Sequence, residues 1–493
     1  MSTRRALLEG IFATTAWAML PGTGLAASAP RPPLSSGYDP QLFHSAMTAD
    51  PGPIDLIIGN ADIPGAIPEV LRGWTYLSNG PSRLDWDGQT VHPFDGHGYL
   101  RAFHFGAEGQ VQVRARYIKT PAFEAEDASQ KLVYRGLGTL AAPPGERGWR
   151  RTNRQSPGRG RRNVANTTIY PWGDALLAGW EGGLPYAVDP HTLETLGPFR
   201  FQDALGEDEP FLAHVRLDHT RNRLVGVSPR LGPKTTLTFR EFDGQNSQVS
   251  KREVTLPWPV MIHDFVITEN YYGLVSNTLK LKYGTLLRTI GGADSLINAI
   301  DFNREEEGEL VLIPRAEGPI RRIPLGKPAF VIHYANAFEE GEDVVVDACL
   351  FDDTRFGQEF GFLGQDRPLD PTQMDLPAYQ RLIRIRASLP TQKATLTDFE
   401  NRTVDFPRIH PHRDGLSYDR FFAATRSDTD TAYPFDAVAG IDPSDPERPM
   451  DLWVSGGSRF VGEPVFVPAP GESTTEGGAV VVAIYDGPAN HTR

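Results

Sequence analysis

The chain has 493 residues and a formal net charge of −13. This acidity disfavours a nucleic-acid partner, because the phosphate backbone attracts basic surfaces. The single cysteine, Cys349, excludes an intramolecular disulfide and any cysteine-rich metal cluster. The 49 glycines and 42 prolines punctuate short alternating segments while 40% of the residues are hydrophobic, which is typical of an all-β protein with many tight turns.

The N-terminal segment predicts an export signal. Residues 2–8 contain a twin arginine, an apolar stretch follows over residues 11–25, and small residues at 27–29 suit a signal peptidase. An N-terminal anchor or a cytosolic tail is the alternative, although Pro21-Gly22 interrupts the apolar stretch. We expect a twin-arginine-type signal peptide over residues 1–29, a leader over 30–54, one domain over 55–493 and a periplasmic location.

Short strands dominate the chain from residue 71 onward. Residues 94–105 and 111–120 alternate and predict a hairpin, in which His97 and His104 are expected to be exposed or on an edge strand. Seven arginines over residues 145–162 lack periodicity and predict a long basic loop. Glu181 closes an apolar strand, and it requires a partner because a buried carboxylate is costly without a cation or hydrogen-bond donors.

Similar strand pairs recur as far as residue 485, with a period of roughly 40–50 residues. This density of strands, without a convincing long helix, indicates a sandwich, a barrel or a propeller, and the period favours the propeller. The exception is residues 279–300, whose leucines and isoleucines predict a short helical insertion. That insertion could line a path for an apolar ligand, contact a membrane surface or simply pack against the domain.

Three of the twelve histidines follow apolar strand segments: His214, His263 and His333, separated by 49 and 70 residues. Each of them alone could be a core histidine that is bonded to a carbonyl. In a propeller, however, the innermost strands of successive blades converge on one axis, so one histidine from each would meet at a point. Neutral imidazoles without thiolates suit a first-row metal such as iron. The spacing therefore predicts an axial metal site.

Several short segments of the chain match the sequence pattern of a known protein family. They are Phe94-Asp95-Gly96, Arg116-Tyr117-Ile118-Lys119-Thr120, Ala165-Asn166-Thr167, Trp180-Glu181, Ala213-His214, Ile262-His263-Asp264-Phe265, Asn336-Ala337-Phe338-Glu339, Phe406-Pro407-Arg408-Ile409 and Gly462-Glu463-Pro464-Val465-Phe466. In these segments, which occur in the same order, the chain resembles the carotenoid cleavage oxygenase family, which includes retinoid isomerase and lignostilbene dioxygenase relatives. The resemblance extends from about residue 60 to residue 486.

The resemblance implies an all-β fold, a seven-bladed propeller with a dome of loops and helices over an axial metal site. It implies a ferrous ion, Fe(2+), held by four histidines, of which His214, His263 and His333 are the first three. Three carboxylates behind the metal ligands would accept from their imidazoles and brace them: Glu181, Asp405, which stands where the family has glutamate, and Glu463. The implied reaction cleaves a C=C bond of a carotenoid, apocarotenoid or stilbene-like substrate with O2 and gives two carbonyl products. The protein is expected to be a monomer.

One departure from the family pattern concerns the fourth ligand. The family carries it in a terminal Pro-x-Gly-Phe-His-Gly segment, which does not occur before Arg493, and the setting of His491 does not match. We therefore expect an incomplete last blade.

The alternative function is an impaired or inactive relative that only binds an apolar ligand. A propeller hydrolase would need an Asp/Asn/Glu cluster in register with the strands, which the pattern lacks. Tyr117 with Lys131 could activate a phenol in a stilbene cleaver.

Overall fold

The computed structural model describes residues 50–139 except 64, 87 and 88, residues 162–290, 294–351 and 380–489 except 476, residues 491–492, and positions 42, 47, 362 and 370. The predicted signal peptide and the predicted basic loop, apart from Arg162, lie outside the described residues. Among the helices that are described, none is long and apolar enough to cross a membrane.

Six four-stranded antiparallel sheets form the blades of a propeller. Their strands are β1 (Ile54–Ile58), β2 (Thr75–Ser82), β5 (His97–Phe105) and β6 (Val111–Tyr117) in the first blade; β7 (Thr168–Trp172), β8 (Ala175–Gly179), β9 (Tyr186–Val188) and β10 (Thr195–Pro198) in the second; β11 (Arg216–Asp218), β12 (Arg223–Arg230), β13 (Thr235–Phe242) and β14 (Gln248–Leu256) in the third; β15 (Val266–Ile267), β16 (Tyr271–Ser276), β19 (Glu309–Pro314) and β20 (Arg321–Pro324) in the fourth; β21 (Phe330–Glu340), β22 (Asp343–Phe351), β23 (Gln380–Ser388) and β24 (Lys393–Asp398) in the fifth; and β25 (Val404–Ile409), β26 (Phe421–Thr425), β27 (Ala437–Ile441) and β28 (Asp451–Val454) in the sixth.

Burial of a strand follows its place in the blade. β22 is buried along almost its whole length, because one of its faces packs on the fourth blade and the other on the sixth. Val346 of β22 shares a core cluster with Leu310, whereas Cys349 shares one with Phe421. The outermost strand β24 alternates between exposed and half-buried residues. Inner strands therefore appear in the sequence as continuous apolar runs, and outer strands as alternating ones.

The ring closes between the sixth and the first blade through shorter sheets. These are a three-stranded sheet of β29 (Arg459–Val461), β32 (Ile484–Asp486) and β33 (His491–Thr492), and a hairpin of β30 (Val465–Pro468) and β31 (Gly478–Val481). In the hairpin, Phe466 stacks on Phe422 of the sixth blade, and Val467 packs in one cluster with Ile58 of the first blade. The prediction of seven blades is wrong. The described residues form six blades, because the strands after residue 458 divide between two small sheets.

Further elements lie between the blade strands. They are the strand pairs β3 (Asp85–Trp86) with β4 (Gln89–Thr90) and β17 (Leu279–Leu281) with β18 (Ile300–Phe302), the helices α1 (Pro121–Ser129) and α2 (Tyr283–Ile290), and the 3-10 turns Asn60–Asp62, Glu69–Leu71, Pro93–Asp95 and Ile297–Ala299. The predicted insertion over residues 279–300 is thus a hairpin whose loop carries the short helix α2.

The prediction for His97 is wrong. β5 lies between β2 and β6, and the side chain of His97 is fully buried between Trp86 and Phe123. Its Nε2 lies 2.7 Å from Oε2 of Glu126, which also accepts from Nη2 of Arg162 at 2.9 Å. Burial lowers the pKa of His97 to about 4, so the imidazole is neutral and donates to the carboxylate.

Candidate metal centre

His214, His263 and His333 converge from three consecutive blades. His214 lies two residues before β11, His263 lies three residues before β15, and His333 lies within β21. Nε2 of His263 lies 3.1 Å from Nε2 of His214 and 3.2 Å from Nε2 of His333. Ligand atoms of all three lie within 4.8 Å of one another, and among the described residues this is the one such group of three. Residues far apart in the sequence therefore meet at a single point.

Irregular backbone conformation orients the side chains of His333 and Asp405. In the ladder between β21 and β22, the register shifts between Val331 and Tyr334, so that His333 has no direct partner. In β25 the register shifts between Asp405 and Arg408, and Phe406 has a positive φ of 52°. Bulges of this kind redirect side chains, and a left-handed phenylalanine is a strained conformation that persists where the surroundings enforce it. The two irregular segments bring Asp405 to His333.

Two carboxylates fix two of the imidazoles. Nδ1 of His333 lies 2.7 Å from Oδ1 of Asp405, which also accepts from the backbone N–H of Phe406 at 2.8 Å. Nδ1 of His263 lies 3.0 Å from Oε1 of Glu181, and Glu181 follows β8 at a bridge that joins Trp180 to Phe211 of the next blade. The hydrogen bond to Asp405 favours the tautomer of His333 that carries its proton on Nδ1, and Glu181 faces Nδ1 of His263 at ion-pair distance.

The pKa shifts agree with this arrangement. Burial, together with the neighbouring imidazoles of His263 and His333, lowers the pKa of His214 well below its usual value. Burial alone would raise the pKa of Asp405 and Glu181, but the charge and hydrogen bond of the facing imidazole lower both. Burial by itself would lower the pKa of His333, as it does for His214. The charge and the hydrogen bond of Asp405 outweigh the effect of burial, so the pKa of His333 is raised. The carboxylates are therefore ionised.

The three nitrogens fit a bound cation. Nε2 of His263 and Nε2 of His333 lie 3.2 Å apart, a separation at which two deprotonated ring nitrogens repel unless a proton or a metal cation lies between them. Two imidazole nitrogens that share one first-row ion at about 2.1 Å, at angles of about 90–109°, stand roughly 3.0–3.4 Å apart. Both measured separations fall in this interval. The donor set, three imidazoles without thiolate, suits zinc, copper, nickel or iron.

The remaining predicted residues lie elsewhere. Glu463 pairs with Arg408 at 2.5 Å, and no described histidine pairs with it, so its bracing role stays a prediction. The hydroxyl of Tyr117 donates to Asp50 at 2.8 Å, and its ring stacks on Phe123, while Lys131 is exposed. His491 lies in β33, where only its backbone is described.

Three residues near the histidines, Phe406, Arg216 and Asp264, were not among the site residues predicted from the sequence. The ring of Phe406 lies 5.3 Å from that of His333 and forms an apolar wall beside it. Arg216 and Asp264 form an ion pair close behind the histidines. The sequence did point to Asp264 and Phe406, because both belong to the segments that carry the family resemblance. For Arg216 the only signal was a position two residues after His214.

Comparisons with known proteins agree with the fold. Residues 56–493 match the retinal pigment epithelial membrane protein (RPE65) family. The chain is 30% identical to apocarotenoid-15,15'-oxygenase of Synechocystis, over 92% of this chain and 91% of that protein. It is 31% identical to carotenoid cleavage dioxygenase 7 of Oryza sativa, over 85% and 80% of the two chains.

A solved structure of cobalt-substituted apocarotenoid oxygenase from Synechocystis matches with a TM-score of 0.80 and 28% identity, and the match covers 92% of each chain. The family match spans most of the sequence, and the propeller that carries the three histidines is the fold of that oxygenase. The chain therefore belongs to the RPE65 and carotenoid cleavage oxygenase family of enzymes.

Proposed function

We propose that this protein is a non-haem iron(II) dioxygenase that cleaves a C=C bond of a carotenoid or apocarotenoid, or of a stilbene-like alkene, with O2. Both oxygen atoms enter the products, which are two carbonyl compounds. The observation that carries the proposal is the convergence of the Nε2 atoms of His214, His263 and His333, at separations of 3.1 and 3.2 Å, on the axis of a family propeller.

Iron is the metal that best combines the donor set with this reaction. Imidazoles accept several first-row ions, and the cobalt-substituted structure is that of a related oxygenase. Reaction of O2 with an alkene requires a redox-active centre, which zinc cannot supply. The bound ferrous ion would supply the activation of O2, while His214, His263 and His333 would hold it.

The protein groups around the ion orient and shield it. With the metal bound, Asp405 and Glu181, which face Nδ1 of His333 and His263, would favour the tautomers that leave both Nε2 atoms available as ligands. Phe406 places an apolar ring beside His333, which favours an apolar alkene over a polar substrate and helps to exclude water. The names of the relatives, an apocarotenoid oxygenase and a carotenoid cleavage dioxygenase, support a polyene substrate.

The helix α2 supports the proposal that the protein meets its substrate at a membrane surface. Tyr283 and Leu287 are 74% and 70% exposed, and their spacing of four residues places them on one face of the helix. Arg288 and Lys282 are also solvent-accessible and could contact anionic headgroups. Apolar alkenes of this size partition into lipid, so an apolar contact of this kind would bring the enzyme to its substrate.

The test is turnover by the iron-loaded protein. With an apocarotenal, and separately with a hydroxystilbene, we expect one O2 consumed per alkene cleaved and two carbonyl products with one labelled oxygen each from 18O2. His263→Ala should abolish iron binding and turnover, whereas replacement of the exposed His191 should change neither. Failure of the wild-type protein to bind iron and to form product from either substrate would reject the proposal. Binding of the alkene without turnover would instead establish the alternative, a ligand-binding relative.

A further inference from the structure

The three histidines of the candidate centre stand on three separate hydrogen-bonded sheets. Within one sheet a ladder of backbone hydrogen bonds fixes the positions of neighbouring strands, but successive blades pack mainly through side chains. A metal centre shared between blades requires its ligands to be held to within about 0.5 Å. Some contact between the blades must therefore set the spacing of the three imidazoles.

A buried ion pair lies one or two residues beyond the histidines. Nη2 of Arg216, two residues after His214, donates to Oδ2 of Asp264 at 2.6 Å, and its Nε donates to the carbonyl of Phe265 at 2.6 Å. Both side chains are almost fully buried, 11% and 2% exposed. These contacts join the third blade to the fourth directly behind His214 and His263.

The same carboxylate extends the connection to the third ligand strand. Oδ2 of Asp264 also accepts from the backbone N–H of Tyr334 at 3.1 Å, and Tyr334 directly follows His333. Oδ1 of Asp264 accepts from the backbone N–H of Phe265 at 2.7 Å, which fixes the orientation of the carboxylate. One side chain therefore contacts the segments that carry all three histidines.

Asp414 adds a fourth segment to this network. It follows β25, the strand that carries Asp405, and its Oδ1 lies 3.3 Å from Nη1 of Arg216. Its Oδ2 accepts from the backbone N–H of Leu217 at 3.2 Å. The guanidinium of Arg216 thus has a partner at each of its three nitrogens, in the fork geometry that arginine offers and lysine does not.

We propose that Arg216 and Asp264 are positioning residues that set the separations of the three Nε2 atoms, and so the affinity and geometry of the metal centre. The inference rests on the proposed function, since it assumes that the histidines hold a metal. Neither residue belongs to the group of three potential metal ligands. Removal of outer-shell partners of a metal ligand typically costs 10–100-fold in metal affinity or activity, and here one residue supports three ligands.

A purely structural role is the competing explanation, and a matched control separates the two. Arg384 and Asp347 form a comparable buried pair in the fifth blade, with donor–acceptor distances of 2.8 and 2.7 Å. The carboxylate of Asp347 accepts from Arg384 and from the hydroxyl of Tyr418, and not from a residue adjacent to one of the three histidines. Asp264→Asn keeps the size of the side chain but replaces the carboxylate with a neutral amide, which faces the donors Arg216 and the N–H of Tyr334. Asp347→Asn makes the same change in the control pair.

The experiment measures the affinity of wild-type, Asp264→Asn and Asp347→Asn protein for Fe(2+) and Co(2+) under anaerobic conditions. Urea unfolding of the metal-free proteins and the visible spectrum of the cobalt forms complete the comparison. We expect Asp264→Asn to bind both ions 10–100-fold more weakly, with an altered cobalt spectrum. Asp347→Asn should unfold at lower urea but bind both ions like wild type.

Wild-type affinity and spectrum in Asp264→Asn would overturn the inference even if the protein is destabilised, because the pair would then be only structural. If Asp264→Asn does not fold, Arg216→Lys provides the second test. A lysine can keep the charge near Asp264 but cannot bond Phe265 and Asp414 as well, and we expect weaker metal binding in the same direction. Absence of metal binding in the wild type would reject the proposed function itself, a distinct result.

Discussion

Replacing Asp405 with asparagine removes the charge that holds His333 while keeping the size of the side chain. The amide oxygen can still accept from Nδ1 of His333 and from the N–H of Phe406, which lie 2.7 and 2.8 Å from Oδ1. A hydrogen bond to a charged partner contributes about 1.5–3 kcal/mol and a neutral one about 0.5–1.5 kcal/mol. The difference, roughly 1–1.5 kcal/mol, corresponds to about a tenfold loss of iron affinity.

Glu181→Gln provides an internal comparison. Oε1 of Glu181 lies 3.0 Å from Nδ1 of His263, a longer separation than that between Asp405 and His333. The weaker contact predicts a smaller loss of affinity, below about tenfold. The assay is an anaerobic competition titration of Fe(2+) against a chromogenic chelator, with both variants measured beside the wild type.

Asp436→Asn is the matched control. Asp436 lies in the sixth blade like Asp405 and is buried, but its carboxylate accepts from the N–H and the hydroxyl of Ser427 rather than from an imidazole. Its replacement should lower stability and leave iron affinity unchanged. The reasoning would be refuted if Asp405→Asn bound iron like the wild type, or if Glu181→Gln lost more affinity than Asp405→Asn.

Three further predictions concern other parts of the molecule. His214→Ala should contain no iron by metal analysis and should show no turnover, yet it should unfold at nearly the same urea concentration as the metal-free wild type. Stoichiometric iron in this variant would contradict the proposal that His214 is a ligand. His97 and Glu126 form a buried pair with folded pKa values of about 4 and about 2, and the pair is fully stabilising above pH 6.5. As the pH falls below 6.5, the unfolded chain takes up a proton on His97 before the folded protein does, so the free energy of unfolding should fall by about 3 kcal/mol between pH 6.5 and 4. It should fall further below pH 4.5, where the unfolded chain also takes up a proton on Glu126. Urea unfolding at several pH values should show this slope and His97→Phe should flatten it, whereas an equal slope in the variant would exclude His97 as its source. Tyr283→Ser together with Leu287→Ser should reduce sedimentation with anionic vesicles severalfold without changing turnover in detergent, and unchanged sedimentation would exclude α2 as the contact.

The candidate site was accessible from the sequence because its parts lie on strands with recognisable local patterns. His214, His263 and His333 each follow an apolar segment, so residue type and register were sufficient to nominate them, and the apolar strand before Glu181 showed that this carboxylate needs a partner. Asp405, and the bracing role of Glu181, came only from the resemblance to the family. The same local information misjudged His97. Its alternating hairpin was identified correctly, but whether a histidine in a hairpin is exposed depends on what packs over it, and α1 and Arg162 come from later in the chain.

The sequence by itself determined the all-β class and the residues that converge on the axis, because strand periodicity and ligand chemistry are local properties. Only the tertiary structure decided the blade count and the closure, since both depend on how the strands after residue 458 pair and pack. It also decided that Arg216 and Asp264 join three ligand segments. That connection depends on the stacking of separate sheets, in which residues 48 positions apart meet at 2.6 Å, and no local pattern in the chain marks Arg216 and Asp264 as partners.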